Sequence, residues 1–168
     1  MNQSQPSVKR TGFYPASARD YLEPLQFFKG WVDHLMFCDL NVSPVNRAKI
    51  EELRETIRLQ GLPEASFVLG DALTALACIK PVDVFLVRRD SNGEGGSGLV
   101  LLHAERIRLV LKVIKPGGLL VTDKPNGYLW LTRMLSGKSP LYPVDERTLF
   151  LSPSQPWAES GLYSVTVN

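Results

Sequence analysis

Short apolar runs, most of them closing on a charged or glycine-containing turn, alternate along this chain with runs of helical periodicity, and no other feature restricts the fold as tightly. His34-Leu35-Met36-Phe37-Cys38 is the clearest of them, an almost unbroken apolar strand that ends at Asp39. Unbroken apolarity is the mark of a strand covered on both faces, whereas a half-exposed strand alternates. Comparable runs are Arg10 to Ala16, Ser66 to Leu69 before Gly70-Asp71-Ala72, Val82 to Val87 before Arg88-Arg89-Asp90, and Leu119 to Thr122 before Asp123. Thr148 to Leu151 and Tyr163 to Val167 have strand composition as well, which predicts seven strands.

Helical stretches fall between the strands. Tyr21 to Phe28 is a short one. Ser43-Pro44 supplies an N-cap and a first-turn proline for a helix over Val45 to Gln60, and Gly61 supplies its stop. Within it Ile50, Leu53 and Ile57 form one apolar stripe, with Glu51, Glu52, Glu55 and Arg58 on the solvated side. Val100, Ala104, Ile107, Leu111 and Ile114 form a second stripe that Pro116-Gly117-Gly118 should end, and Gly127 to Leu135 has a helical pattern too. Such alternation predicts an α/β layer architecture around a mainly parallel sheet.

The chain's 168 residues, 44% of them hydrophobic, suit one domain spanning 1–168 with a buried core, and no segment approaches the roughly 20 apolar residues of a membrane span. A net charge of +2 gives no general attraction to nucleic acid or to a membrane surface. Trp130, Arg133, Lys138, Tyr142 and Arg147 interleave too loosely for a stacking platform and read as ordinary surface. Cys38 and Cys78 lie in apolar runs without metal-ligand spacing and read as buried free thiols; the polar start of the chain lacks the apolar centre of a secretory signal, so a reducing cytoplasm is expected. His34 and His103 read as structural, and no metal site or acid–base constellation is evident. Ser91 to Gly98, rich in glycine, is a flexible loop, either a substrate lid or a plain hairpin.

In an open α/β sheet, ligands bind beyond the carboxyl ends of the strands where the strand order reverses. Asp39 stands at the end of the second strand, where a nucleotide-binding fold places the carboxylate that accepts from both ribose hydroxyls. The alternative is a capping or solvated loop aspartate. Asp71 is read either as a ligand-facing turn residue or as an aspartate bonded to its own turn.

The order of these motifs resembles the class I S-adenosylmethionine-dependent methyltransferases over nearly the whole chain. Phe37-Cys38-Asp39-Leu40 is similar to the family's second-strand acid, Gly70-Asp71-Ala72 to its adenine-contacting turn, and Leu111 to Leu120, containing Lys115-Pro116-Gly117-Gly118, to its signature before the fifth strand. Glu159 to Val165 resembles its closing hairpin. The resemblance implies a three-layer Rossmann-like methyltransferase fold with strand order 3-2-1-4-5-7-6 and an antiparallel last strand. It also implies S-adenosylmethionine as cofactor and an unidentified methyl acceptor, a small molecule or a protein.

The first loop departs from the family's acid-x-Gly-x-Gly-x-Gly: Tyr14 replaces the acid, Ala16 and Ala18 two glycines, and Asp20 the third. The residues carried over as cofactor candidates are therefore Tyr14, Ala16, Ser17, Ala18, Asp20, Asp39, Leu40, Asp71, Ala72 and Arg88, with no catalytic group assigned. Asp20 is the expected substitute carboxylate. Arg88, Arg89 and Asp90 hold the substrate-facing position after strand four, or are a solvated charge cluster. Two other readings stand beside a methyltransferase: a non-catalytic descendant of the fold that binds a partner, and a nicotinamide-dependent oxidoreductase. The second suffers from the acid in its would-be pyrophosphate turn.

Overall fold

A computed structural model describes residues 8–17, 20–40, 44–88, 101, 106–123, 149–151 and 162–167. Ala18, Ser43, His103, Thr148, the loop 91–98, the helical pattern at 127–135, residues 159–161 and the aromatic and basic set from Trp130 to Arg147 lie outside them. Among the described residues seven strands, β1 (Thr11–Pro15), β2 (His34–Asp39), β3 (Glu64–Leu69), β4 (Val82–Val87), β5 (Ile114–Asp123), β6 (Leu149–Leu151) and β7 (Leu162–Val167), form one sheet in the order β3-β2-β1-β4-β5-β7-β6. β1 to β5 pair in parallel, and β7 runs antiparallel between β5 and β6. This is the predicted order and direction.

Among the described residues four helices cover the sheet: α1 (Leu22–Phe27), α2 (Pro44–Gln60), α3 (Ala72–Cys78) and α4 (Ile107–Lys112). The period of two along each strand divides the core between the two faces. Tyr14, Leu35, Phe37, Val84, Leu86 and Val121 pack with Leu25 of α1 and Leu53 of α2. On the other face, Phe13, Cys38, Phe85 and Leu120 pack with Ala75 and Leu76 of α3 and Val110 of α4. Both faces are thus buried, which is why the strands read as nearly continuous apolar runs. The expected stripe of α2 is present, with Ile50 and Leu53 buried and Ile57 packed against the core. Gly61 takes a φ of 59°, and the Leu62 N–H turns back to donate to the Ile57 carbonyl at 3.1 Å, closing the last turn of α2.

Two expectations are corrected, and one element went unread in the sequence. The segment after Asp71 is a helix, α3, which buries Ala72, Ala75 and Leu76 at i, i+3 and i+4. Its other face carries Cys78, which is exposed rather than buried; Cys38 is buried, and both thiols are free. The helix before the fifth strand stops at Lys112, and Ile114 belongs to β5, paired with Val82. Ile114 is buried in the sheet, so an apolar stripe that counted it could not distinguish helix end from strand start.

Candidate functional site

The strand order reverses between β1 and β4, since β2 and β3 extend the sheet on one side of β1 while β4 and β5 extend it on the other. The carboxyl ends of β1, β2, β3 and β4 consequently gather at one edge, and most of the candidate residues lie there. Parallel pairing brings Asp39 opposite Leu69, and the Gly70 N–H donates to the Asp39 carbonyl at 2.9 Å. Asp39 is half-buried, whereas Leu40 and Leu69 are 68% and 61% exposed. Two large apolar side chains thus stand open to solvent next to an acid at the strand ends.

The turn after β1 is tied to β2. The Ser17 N–H donates to the Cys38 carbonyl at 3.1 Å, one bond past the Pro15–Cys38 pair, and the Asp20 N–H donates to the Ser17 carbonyl at 2.9 Å. Ser17 is buried, with its hydroxyl turned towards the same Cys38 carbonyl. Ala16 adopts a φ of 52°, the left-handed region that costs an L-residue with a Cβ roughly 1–2 kcal/mol. This alanine therefore holds a glycine-type conformation at a position where the family pattern has glycine. Cys38, below the turn, has its thiol pushed up to about 11 by burial and by the nearby Asp39 and Asp71 carboxylates, so it is no nucleophile at neutral pH.

The structure brings Tyr14, Asp20 and Arg88 together and adds Glu23, which the sequence reading missed. The Tyr14 ring is buried towards α1 and Phe37, yet its hydroxyl donates to Asp20 Oδ2 at 3.1 Å. Arg88, from the end of β4, donates to the same oxygen at 2.8 Å, ion-pairs with Glu23 in the first turn of α1, and lies over the Phe27 ring at 5.8 Å. One guanidinium thus serves two carboxylates. Burial holds the Asp20 carboxyl above its ordinary range, with the Glu23 charge acting in the same direction, against the opposing pull of Arg88 and Tyr14. Glu23 had no motif to betray it, although an acid in the first turn of a helix is itself a mild signal.

Asp71 takes the local part that the sequence left open as its alternative, an aspartate bonded to its own turn. Asp71 is the N-cap of α3: its Oδ2 accepts from the Thr74 N–H at 2.8 Å and the Thr74 hydroxyl at 3.0 Å, and these bonds hold its carboxyl below the usual range. Ala72 is buried in the core under α3. A pyrophosphate would fare badly at α1, because Asp20 precedes the helix, Glu23 sits in its first turn, and Pro24 removes an N–H there.

No protein-family model matches the chain, and no curated protein sequence matches it. Solved structures do. A methyltransferase from Geobacter sulfurreducens aligns with a TM-score of 0.57 at 14% identity, covering 94% of this chain and 70% of that one. The aminoglycoside resistance methyltransferase NpmB1 aligns at 0.55 and 17% identity, covering 96% and 89%. The Streptococcus mutans protein SMU.1697c, in complex with SAH (S-adenosylhomocysteine), aligns at 0.53 and 12% identity, covering 95% and 88%. The fold is that of the class I S-adenosylmethionine-dependent methyltransferases. At these identities the likeness is one of fold, and the methyltransferase-fold strand order places Asp39 and Arg88 by topology alone. No helix among the described residues is long and apolar enough to cross a membrane.

Proposed function

We propose that the crevice at the carboxyl ends of β1 to β4 binds S-adenosylmethionine and that the protein is a methyltransferase acting on an unidentified acceptor. The observation that carries this reading is the pairing of Asp39 with the exposed Leu69, with the exposed Leu40 next in the chain, at the adjoining ends of β2 and β3. An adenosyl group needs such a set: a carboxylate for two ribose hydroxyls and an apolar wall for a flat base. Leu40 and Leu69 would flank the base and Asp39 would accept from the ribose.

The methionyl end is a zwitterion, and the Asp20–Arg88 pair presents the complementary charges. Asp20 would take the ammonium in place of the acid that Tyr14 displaces, while Arg88 would take the carboxylate. Ala16 and Ser17 would bring backbone close to the ligand, since the left-handed Ala16 keeps the tight turn. The cofactor, when bound, supplies an activated methyl on a sulfonium, so the protein's share of the chemistry is orientation and exclusion of water.

Calorimetric titration with S-adenosylhomocysteine tests the reading. Saturable binding that Asp39→Ala weakens by at least about tenfold, the loss of a charge-assisted hydrogen bond, supports it. Unchanged affinity in a folded Asp39→Ala protein refutes the ribose role. A second reading is a non-catalytic interaction module; it is favoured by Arg88, which is already closed on Asp20 and Glu23, and by the absence of an acid at position 14. No binding at millimolar ligand by the folded protein would decide for that reading.

A further inference from the structure

The Lys115-Pro116-Gly117-Gly118 segment lies at the opposite edge of the sheet from the crevice, and the proposed function makes no use of it. Val82 pairs with Ile114 and Val84 with Leu119, so residues 115–118 loop out of the ladder opposite Asp83. Beneath this loop is a cavity of about 310 Å³ whose walls include Arg10, Trp31, Val84, Pro116, Leu119 and Thr166. That volume is at the lower end for small-molecule pockets. At Gly117, with φ of 80°, a side chain would meet nothing within 4 Å, so the loop faces open space there.

The cavity's chemistry is uneven. Lys115 is committed to Asp83 at 2.8 Å, and Asp83 also accepts from the Thr11 N–H at 2.7 Å. The Arg10 backbone N–H donates to the Asp33 carboxylate at 2.7 Å, while its guanidinium carbon stands 5.9 Å from the Trp31 ring centre, and among the described residues no carboxylate lies within ion-pair distance of that guanidinium. An arginine held against an indole has its rotamer freedom already reduced while its N–H edge stays available for a two-pronged contact with a carboxylate. Pro116 and the indole then provide apolar surface for a flat ring, with the buried Val84 and Leu119 behind them.

We propose that this cavity is a second ligand site, for small planar aromatic carboxylates, with the carboxylate on Arg10 and the ring between Trp31 and the 115–118 loop. The spare N–H protons of Lys115 add a second donor at its rim. The site shares no residue with the crevice, and it stands whether or not the crevice binds S-adenosylmethionine.

Amide chemical shifts of the labelled protein, followed during titration with 2-naphthoate, test this. The expected result is saturable shifts at Gly117, Gly118, Thr166 and the Trp31 indole, with affinity reduced about tenfold in Arg10→Gln and for the neutral 2-naphthamide, each of which removes one side of the charge-assisted contact. Arg10 is exposed, so its replacement leaves the core intact, and the spread of amide shifts verifies folding. Absence of shifts at these residues up to ~10 mM ligand overturns the proposal, as does equal affinity in Arg10→Gln. Shifts appearing instead at Asp39, Leu40 and Gly70 also overturn it, by assigning the ligand to the other edge.

Discussion

Each edge of the parallel sheet carries an aspartate tied to a neighbouring strand or turn, and the two aspartates are held in opposite ways. At the amino edge, burial alone would raise the Asp83 carboxyl, but the Lys115 ammonium together with the Thr11 N–H and hydroxyl outweighs it and keeps the group below its ordinary range. At the carboxyl edge, the half-buried Asp20 shares the Arg88 guanidinium with Glu23 and is held above its ordinary range. The same side chain is therefore a satisfied clip at one end and an under-served acid at the other. An under-served acid beside a divided arginine is a place where an incoming zwitterion can exchange partners at small cost, and a satisfied clip is not.

The comparison is broken or sharpened most strongly by Asp83→Ala. It leaves Lys115 and the Thr11 N–H without their acceptor, and should lower unfolding free energy by about 2 kcal/mol in denaturant titration. A loss under about 0.5 kcal/mol would mean the amino edge is no clip. Next in size is Ala16→Gly, which removes the left-handed strain at the carboxyl edge against some gain in unfolded-chain entropy and should stabilise the protein by about 0.5–1 kcal/mol. Asp20→Asn should cost less than about 0.5 kcal/mol at neutral pH, because the charge it removes is one the fold disfavours. A cost equal to that of Asp83→Ala would erase the contrast.

Acid titration separates the two aspartates by sign. The native Asp83 carboxyl lies below the value near 3.9 of an unfolded chain, so its contribution is present above that value and is lost as pH falls through the native one. The native Asp20 carboxyl lies above the unfolded value, so it takes up its proton first, and stability gains as pH falls towards about 4. Asp20→Asn should flatten the rise on the weakly acid side, and Asp83→Asn the fall below it. The smallest effect is local. Asp71→Ala should fray the first turn of α3, read as faster amide exchange at Thr74, with Asp71→Asn restoring protection because an amide oxygen still caps.

What the sequence made legible divides along the same lines. Strands buried on both faces announce themselves by continuous apolarity, and the motif order gave the topology, down to β7 between β5 and β6. The α3 helix escaped because alanines and leucines in a seven-residue span give too short a period to separate from a turn, although Asp71 three residues before Thr74 was a capping signal. At the crevice, Asp39 and Arg88 were found from their positions at strand ends. Glu23 was not, because its role depends on Arg88, 65 residues further along the chain, and only the parallel pairing of β1 with β4 makes them neighbours.

The antiparallel strand sets a timetable for synthesis. β7 pairs with β5 over Leu119–Thr166 to Asp123–Leu162, and it holds β6 in the sheet as well. Until residues 162–167 leave the ribosome, the β5 edge, rich in buried Leu120 and Val121, has an open row of peptide groups and no partner from its own chain. A nascent chain halted before that point would carry the kind of apolar, unpaired edge on which strands of other molecules add.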